Sequence, residues 1–196
     1  MKKQTALFHC MPVYQDLHHP LGLVELWPMD LHKDTPIIHQ WVTQPYAQYW
    51  GMTNSSYEEV YAAYKAIYCS DGAYALIGKI NGQPAFLCEC YDPEQDLISN
   101  YYEPEPGDIG MHLLIAPVKE RIHGFTWQIF SVVMDFLFDN PWHDRVVVEP
   151  DIRNEKIHRL NKKAGFVYDR EVVLPHKTAA LAFCTRQQYF NSRKNN

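Results

Sequence analysis

The dipeptide Asn81-Gly82 stands between two strand-like runs, Ala73-Tyr-Ala-Leu-Ile-Gly-Lys-Ile80 and Gln83 through Tyr91. Asparagine followed by glycine best tolerates the positive φ angles of a two-residue hairpin turn. The spacing therefore predicts an antiparallel hairpin over 73–91, and any fold for the chain must contain a sheet with this hairpin in it. Within the second arm, Cys88 and Cys90 fall on one side, because side chains alternate along a strand. Buried thiols account for them without a redox or metal role.

Other elements follow from periodicity. Leu23-Val-Glu-Leu-Trp27 reads as a strand, closed by Pro28-Met-Asp30 before a helix carrying Ile37, Ile38 and Trp41. Ser55-Ser56 caps a second helix over 57–68, where Val60, Ala63, Tyr64 and Ile67 repeat at helical spacing. The polar, Pro-rich stretch 92–107 reads as a loop able to cover a substrate cleft. Asp108 to Ile115 is a further strand, and a long helix is expected from about Val118 to Phe138, with Phe125, Ile129, Val132, Val133, Phe136 and Leu137 as its apolar face. A strand over 145–149, a helix over 154–164 stopped by Gly165, and strands over 166–173 and 178–185 complete the pattern. Hairpin strands ahead of a strand–helix–strand–helix tail predict an α/β or α+β fold.

A length of 196 residues, 46% hydrophobic, suits one core and one domain over 1–196. A formal net charge of −5 gives no electrostatic reason to bind nucleic acid, whose phosphates call for a clustered basic face. No apolar stretch is long enough to cross a bilayer, and the opening Met-Lys-Lys-Gln-Thr-Ala-Leu-Phe-His-Cys is too short in apolar residues for a signal peptide, so a cytoplasmic protein with no membrane partner is expected. Cys10, Cys69, Cys88, Cys90 and Cys184 form neither a disulfide framework nor a paired metal pattern, and the ten histidines are dispersed. No metal site is expected.

The chemistry concentrates where the strand ending at Ile115 hands over to a helix through Arg121-x-x-Gly124-x-Thr126. A helix start offers unpaired N–H groups and a positive dipole end, and a glycine lets backbone approach an anion closely. A diphosphate fits such a turn, although a lone glycine there serves equally to relieve packing. The Gly-x-Gly-x-x-Gly fingerprint and a Walker lysine motif are missing, which disfavours Rossmann and P-loop sites.

This junction resembles that of the GNAT acetyltransferases, in which Arg/Gln-x-x-Gly-x-Gly/Ala cradles the pyrophosphate of coenzyme A. Arg121, Gly124 and Thr126 take the three positions, with Thr126 replacing the usual small residue. Further patches are similar to the N-acyltransferases of hydroxamate siderophore assembly: His39-Gln-Trp41, Pro45-Tyr-Ala-Gln-Tyr-Trp50, Glu89, Gly107-Asp-Ile-Gly-Met-His-Leu-Leu114 and Glu149-Pro-Asp-Ile-Arg-Asn154. The resemblance implies a GNAT fold, a mixed, largely antiparallel central sheet with helices on both faces. It implies acetyl-CoA or succinyl-CoA as acyl donor and N-hydroxyputrescine, N-hydroxycadaverine or side-chain-hydroxylated lysine as acceptor, with association with other siderophore-assembly enzymes as an open partner question. Donor contacts would come from Leu114, Ile115, Ala116, Arg121, Ile122, His123, Gly124, Phe125, Thr126 and Asn161. His39, Trp41 and Glu89 would contact the acceptor, and His112 and Asp151 would be catalytic.

The residues agree with that chemistry. A histidine accepts a proton near neutral pH, and a carboxylate fixes its tautomer and stabilises its charged form. Taken singly, His112 reads first as a core histidine and Asp151 as a helix cap ahead of Asn154, and the motif context reverses that preference. Trp41 alone reads as packing and Glu89 as a solvated strand charge. Two other functions remain open: a GNAT enzyme acting on a polyamine, antibiotic or protein N-terminus, and an acyl-CoA-binding module without catalysis.

Overall fold

The computed structural model describes residues 11–117 and 122–194. The chain divides into two compact units: Met1–Cys90 with Leu113–His123, and Tyr91–His112 with Gly124–Asn196.

In the first unit, strands β1 (Tyr14–Asp16), β2 (Val24–Pro28), β3 (Ala73–Ile80) and β4 (Gln83–Tyr91, to Cys90) lie side by side in that order. β1 and β3 flank β2 in antiparallel register, with Leu26 opposite Tyr14 on one side and Gly78 on the other. The hairpin turn has the expected conformation, Asn81 at φ 50° and Gly82 at φ 77°. Asn81 also accepts a hydrogen bond from the Leu23 amide at 2.9 Å, tying the turn to the start of β2. Cys88 and Cys90 share one side of β4, buried, with their sulfurs 3.7 Å apart.

Helix α1 (Leu31–Val42) starts at Asp30, whose carboxylate accepts from the amides of His32 and Lys33. Helix α2 (Tyr57–Cys69) starts in a capping box: Glu59 N–H donates to the Ser56 hydroxyl, and Ser56 N–H donates to the Glu59 carboxylate. Such reciprocal caps satisfy amides that a helix start otherwise leaves unpaired. Ile38, Trp41 and Val42 of α1 meet Val60 and Tyr64 of α2 over Ile77, Leu87 and Leu114. Each fully buried aliphatic side chain there contributes about 1.5–3 kcal/mol.

In the second unit, β5 (Asp108–Ile115, to His112) runs parallel to β6 (Arg145–Val148), pairing Asp108 with Arg145 and Gly110 with Val147. A parallel pair needs a crossover, and α3 (Phe125–Asp139) lies between them in sequence. β8 (Lys177–Thr185) is antiparallel to β6 and to β7 (Val167–Leu174). α4 (Glu155–Ala164) is capped by Asn154 and ends at Gly165 in the left-handed conformation, φ 96°.

Three features depart from the sequence reading. α3 starts at Phe125, because Gly124 sits at φ 75° and cannot belong to a right-handed helix; Val118 to Arg121 lie outside the described residues. A helix α5 (Arg186–Lys194) closes the chain, held where the Tyr189 hydroxyl meets the Ser131 carbonyl and the Asp135 carboxylate. The loop after β4 carries two 3₁₀ turns, Pro93–Gln95 and Leu97–Asn100, each started by an aspartate side chain, Asp92 or Asp96. Its far end is fixed by Arg145, which donates to both carboxylate oxygens of Asp108 at 2.6 and 2.8 Å and to Glu105 at 2.9 Å. The Arg186 guanidinium donates to the carbonyls of Phe138, Asn140 and His143, satisfying acceptors at the end of α3.

Among the described residues, no helix is long and apolar enough to cross a membrane, and no group of three or more His, Cys, Asp or Glu is placed to hold a metal ion.

Candidate active site

β5 and β6 set the position of the central pair. Their parallel register places Gly110 opposite Val147, and two residues further along each chain stand His112 and Glu149. His112 Nε2 lies 2.7 Å from Glu149 Oε1. The other carboxylate oxygen, Oε2, accepts the Tyr91 hydroxyl at 2.6 Å. Lys177, the first residue of β8, donates to Oε1 at 3.5 Å.

Glycine at 110 makes this arrangement possible. The Tyr91 ring lies over β5 so closely that a Cβ on Gly110 would stand 2.1 Å from it. The same ring sits 5.2 Å from the His112 imidazole, centroid to centroid, tilted by 39°.

Glu149 is 7% exposed. Burial alone would raise its carboxyl, but the adjacent His112, then Lys177 and the Tyr91 hydroxyl, outweigh that and hold it at about 2. The same contact acts in reverse on Tyr91: burial first, then the Glu149 carboxylate, pushes the phenol well above its ordinary value. Tyr91 therefore donates its proton and keeps it. His112 is half-exposed, so the pair has a buried anion on one side and an accessible imidazole on the other. Such an imidazole, fixed by a carboxylate, can take up a proton from a reacting group.

Asp151 stands two residues beyond Glu149 and makes different contacts. Its carboxylate accepts from the Arg153 amide at 2.9 Å, from Arg153 Nε at 2.9 Å and from Nη2 at 2.6 Å. The Arg153 side chain, working against burial, holds Asp151 at about 2. Its backbone bridges to Ala179 of β8, while Ala180 N–H donates to the Pro150 carbonyl. The carboxylate beside His112 is thus Glu149. Sequence motifs included Glu149 without giving it a task, and the parallel register of β5 and β6 is the signal that brings it to His112.

The donor residues fall in both units. In the first, Leu114 is buried in the core, and Ala116 N–H donates to the Ala85 carbonyl after Ile115 closes β5. Ile122 and His123 are exposed, and Arg121 lies outside the described residues. In the second, Gly124 is the N-cap of α3 and supplies no capping side chain; among the described residues, a Cβ there would meet only the Gln128 amide nitrogen, at 3.6 Å. Phe125 is buried and Thr126 exposed. Asn161, 1% exposed, donates to the Tyr168 hydroxyl at 3.1 Å, yet its own Oδ1 is buried with no partner among the described residues. Gln128 Oε1 is in the same condition. Two orphaned acceptors suit a ligand that brings N–H donors.

The acceptor candidates belong to the first unit. Trp41 is 5% exposed within the core, and the His39 ring lies 5.9 Å from that of Tyr57, edge to face. Burial, with the Glu89 carboxylate adding to it, pushes the phenol of Tyr64 well above its ordinary value, and Tyr64 accepts from Trp50 Nε1 at 3.2 Å.

A parallel strand pair with a crossover helix here brings a histidine onto a buried carboxylate of an α/β scaffold, an arrangement with the chemistry to transfer a proton. Residues 30–174 match the model of the acetyltransferase (GNAT) domain, and the chain belongs to that family. It is 28% identical over 159 residues to an N(6)-hydroxylysine O-acetyltransferase of Escherichia coli, covering 81% of this chain and 50% of that protein. It is 22% identical over 161 residues to an N-hydroxyputrescine acetyltransferase of Acinetobacter baumannii, covering 82% of this chain and 76% of that one. The chain thus spans about half the length of the Escherichia coli relative. A crystal structure of a Bacillus halodurans protein superposes with a TM-score of 0.85 at 27% identity, covering 93% of this chain and 94% of that one.

Proposed function

We propose that this protein is an acyl-CoA-dependent N-acyltransferase that acylates an N-hydroxylated amine, giving the hydroxamate of a siderophore precursor. The observation that carries this reading is the His112 imidazole held at 2.7 Å by the buried Glu149 carboxylate. The two relatives named for hydroxylysine and N-hydroxyputrescine support the acceptor class. Acetyl and succinyl are the acyl groups considered, and hydroxylated putrescine, cadaverine or a lysine side chain the acceptors.

The nitrogen of a hydroxylamine is less basic than its parent amine and reaches the site neutral. Its lone pair attacks the thioester carbonyl, His112 accepts the proton that the nitrogen loses, and the C–S bond breaks to release coenzyme A as a thiolate, which the same proton then neutralises. Glu149 stabilises the imidazolium between those steps. Asp151 acts at one remove, fixing Arg153 and the backbone that carries Glu149. The uncapped first turn of α3 at Gly124 would take the diphosphate, and the orphaned Asn161 Oδ1 would accept an amide N–H of the pantetheine arm.

The test is incubation with acetyl- or succinyl-CoA and a panel of amines with and without N-hydroxylation, following thiol release and ferric-hydroxamate colour. Turnover confined to the hydroxylated members is expected. Equal rates on the parent amines would overturn the acceptor assignment and favour a GNAT enzyme for ordinary amines.

A further inference from the structure

Nothing in the reaction described above uses Lys177. It is the first residue of β8, paired with Leu174 across the turn from β7, and two residues further on Ala179 bridges to Asp151. Side chains two apart on a strand share a face. That register is what delivers the Lys177 ammonium to Glu149.

Two cationic or proton-bearing groups then share one oxygen. Glu149 Oε1 faces His112 Nε2 at 2.7 Å and Lys177 Nζ at 3.5 Å, while Oε2 is occupied by the Tyr91 hydroxyl. The Lys177 side chain is only 15% exposed, so its charge is not screened as a surface lysine's would be. The neighbouring Asp151 has its own counter-charge in Arg153.

We infer that Lys177 is a positioning residue that keeps His112 unprotonated, offsetting through their shared Glu149 oxygen the negative charge that would otherwise hold a proton on the imidazole. The inference rests on the proposed role of His112 as the base. A buried carboxylate alone beside an imidazole favours the imidazolium, and an imidazolium cannot accept the proton of an attacking nitrogen. Lys177 reduces that bias while leaving Glu149 in place to fix the ring. Among the described residues, the groups facing the pair include Tyr91 from β4, Glu149 and Asp151 with Arg153 after β6, and Lys177 from β8; Asp96 and Tyr102 act on Tyr91.

The test is an NMR titration of the imidazole C–H signals in the full chain, with His112→Asn identifying the His112 signal. Lys177→Met is expected to move the His112 midpoint upward by about one pH unit, and Lys177→Arg to return it toward the starting value. Lys177→Gln serves as a second neutral replacement should the methionine variant fail to fold. A midpoint that stays in place, or moves down, in the neutral variants overturns the inference. In turnover assays the acid limb of the kcat/KM profile should move upward with the midpoint. A rise in KM for a succinyl donor, with the limb unmoved, would make Lys177 a substrate contact instead and also overturn it. If the wild-type chain acylates no hydroxylated amine, the function proposed above fails, and the titration still decides the part played by Lys177.

Discussion

Glu149 Oε1 stands 2.7 Å from His112 Nε2, although the two residues are 37 apart in sequence. Their contact depends on one parallel strand pairing, and it makes the two side chains a unit. Glu149→Gln and His112→Ala should each lower kcat/KM about a hundredfold, the lower end of what a positioned acid–base group contributes. The double variant should lose little more than the worse single one, since groups acting together are not additive. Steady-state kinetics on the three variants checks this; independent, multiplying losses would separate the residues.

Acid stability should carry the signature of Glu149. Its carboxyl is held at about 2, below the ordinary 4.5, so the unfolded chain binds a proton that the folded chain refuses. The stabilisation is complete above about pH 5 and is lost as pH falls toward 2, a contribution of about 3 kcal/mol. Tyr91→Phe removes the donor to Oε2 and should raise the acid-unfolding midpoint, measured by circular dichroism against pH.

Asp151 and Glu149 should behave differently on replacement. Asp151→Ala frees Arg153 but leaves the His112 contact, so turnover should fall less than about tenfold, against about a hundredfold for His112→Ala. Equal losses in parallel assays would return Asp151 to the proton-transfer step itself.

Gly124→Ala tests the start of α3. Among the described residues nothing crowds a methyl there, but the position holds φ 75°, which costs a residue with a Cβ about 1–2 kcal/mol. KM for acyl-CoA should rise severalfold and thermal stability should fall slightly, read by kinetics and by thermal melts.

Much of the fold can be read locally. The hairpin follows from Asn81-Gly82 and α2 from Ser56 and Glu59, because the residues that decide each element touch one another. α5 could not be read so: its sequence is polar, Tyr189 is its one buried residue, and Asp135, 54 positions away, helps to hold it. The apolar stripe of α3 is plain, whereas its first residue depends on the backbone angle of Gly124. For the site, His112 stands out by resemblance. Tyr91, 58 residues from Glu149, and Lys177, 28 from it, acquire meaning only once the strands are paired.

The contact between Tyr91 and Gly110 constrains descent as well as shape. The ring occupies the space where a side chain at 110 would begin, so neither position can change freely while the other stays. A lineage that gains a methyl at 110 must first shrink residue 91, giving up the hydroxyl that Glu149 accepts. Substitutions at these two positions should therefore arrive as a pair or not at all, and an acyltransferase that has exchanged both will have found another donor for its buried carboxylate.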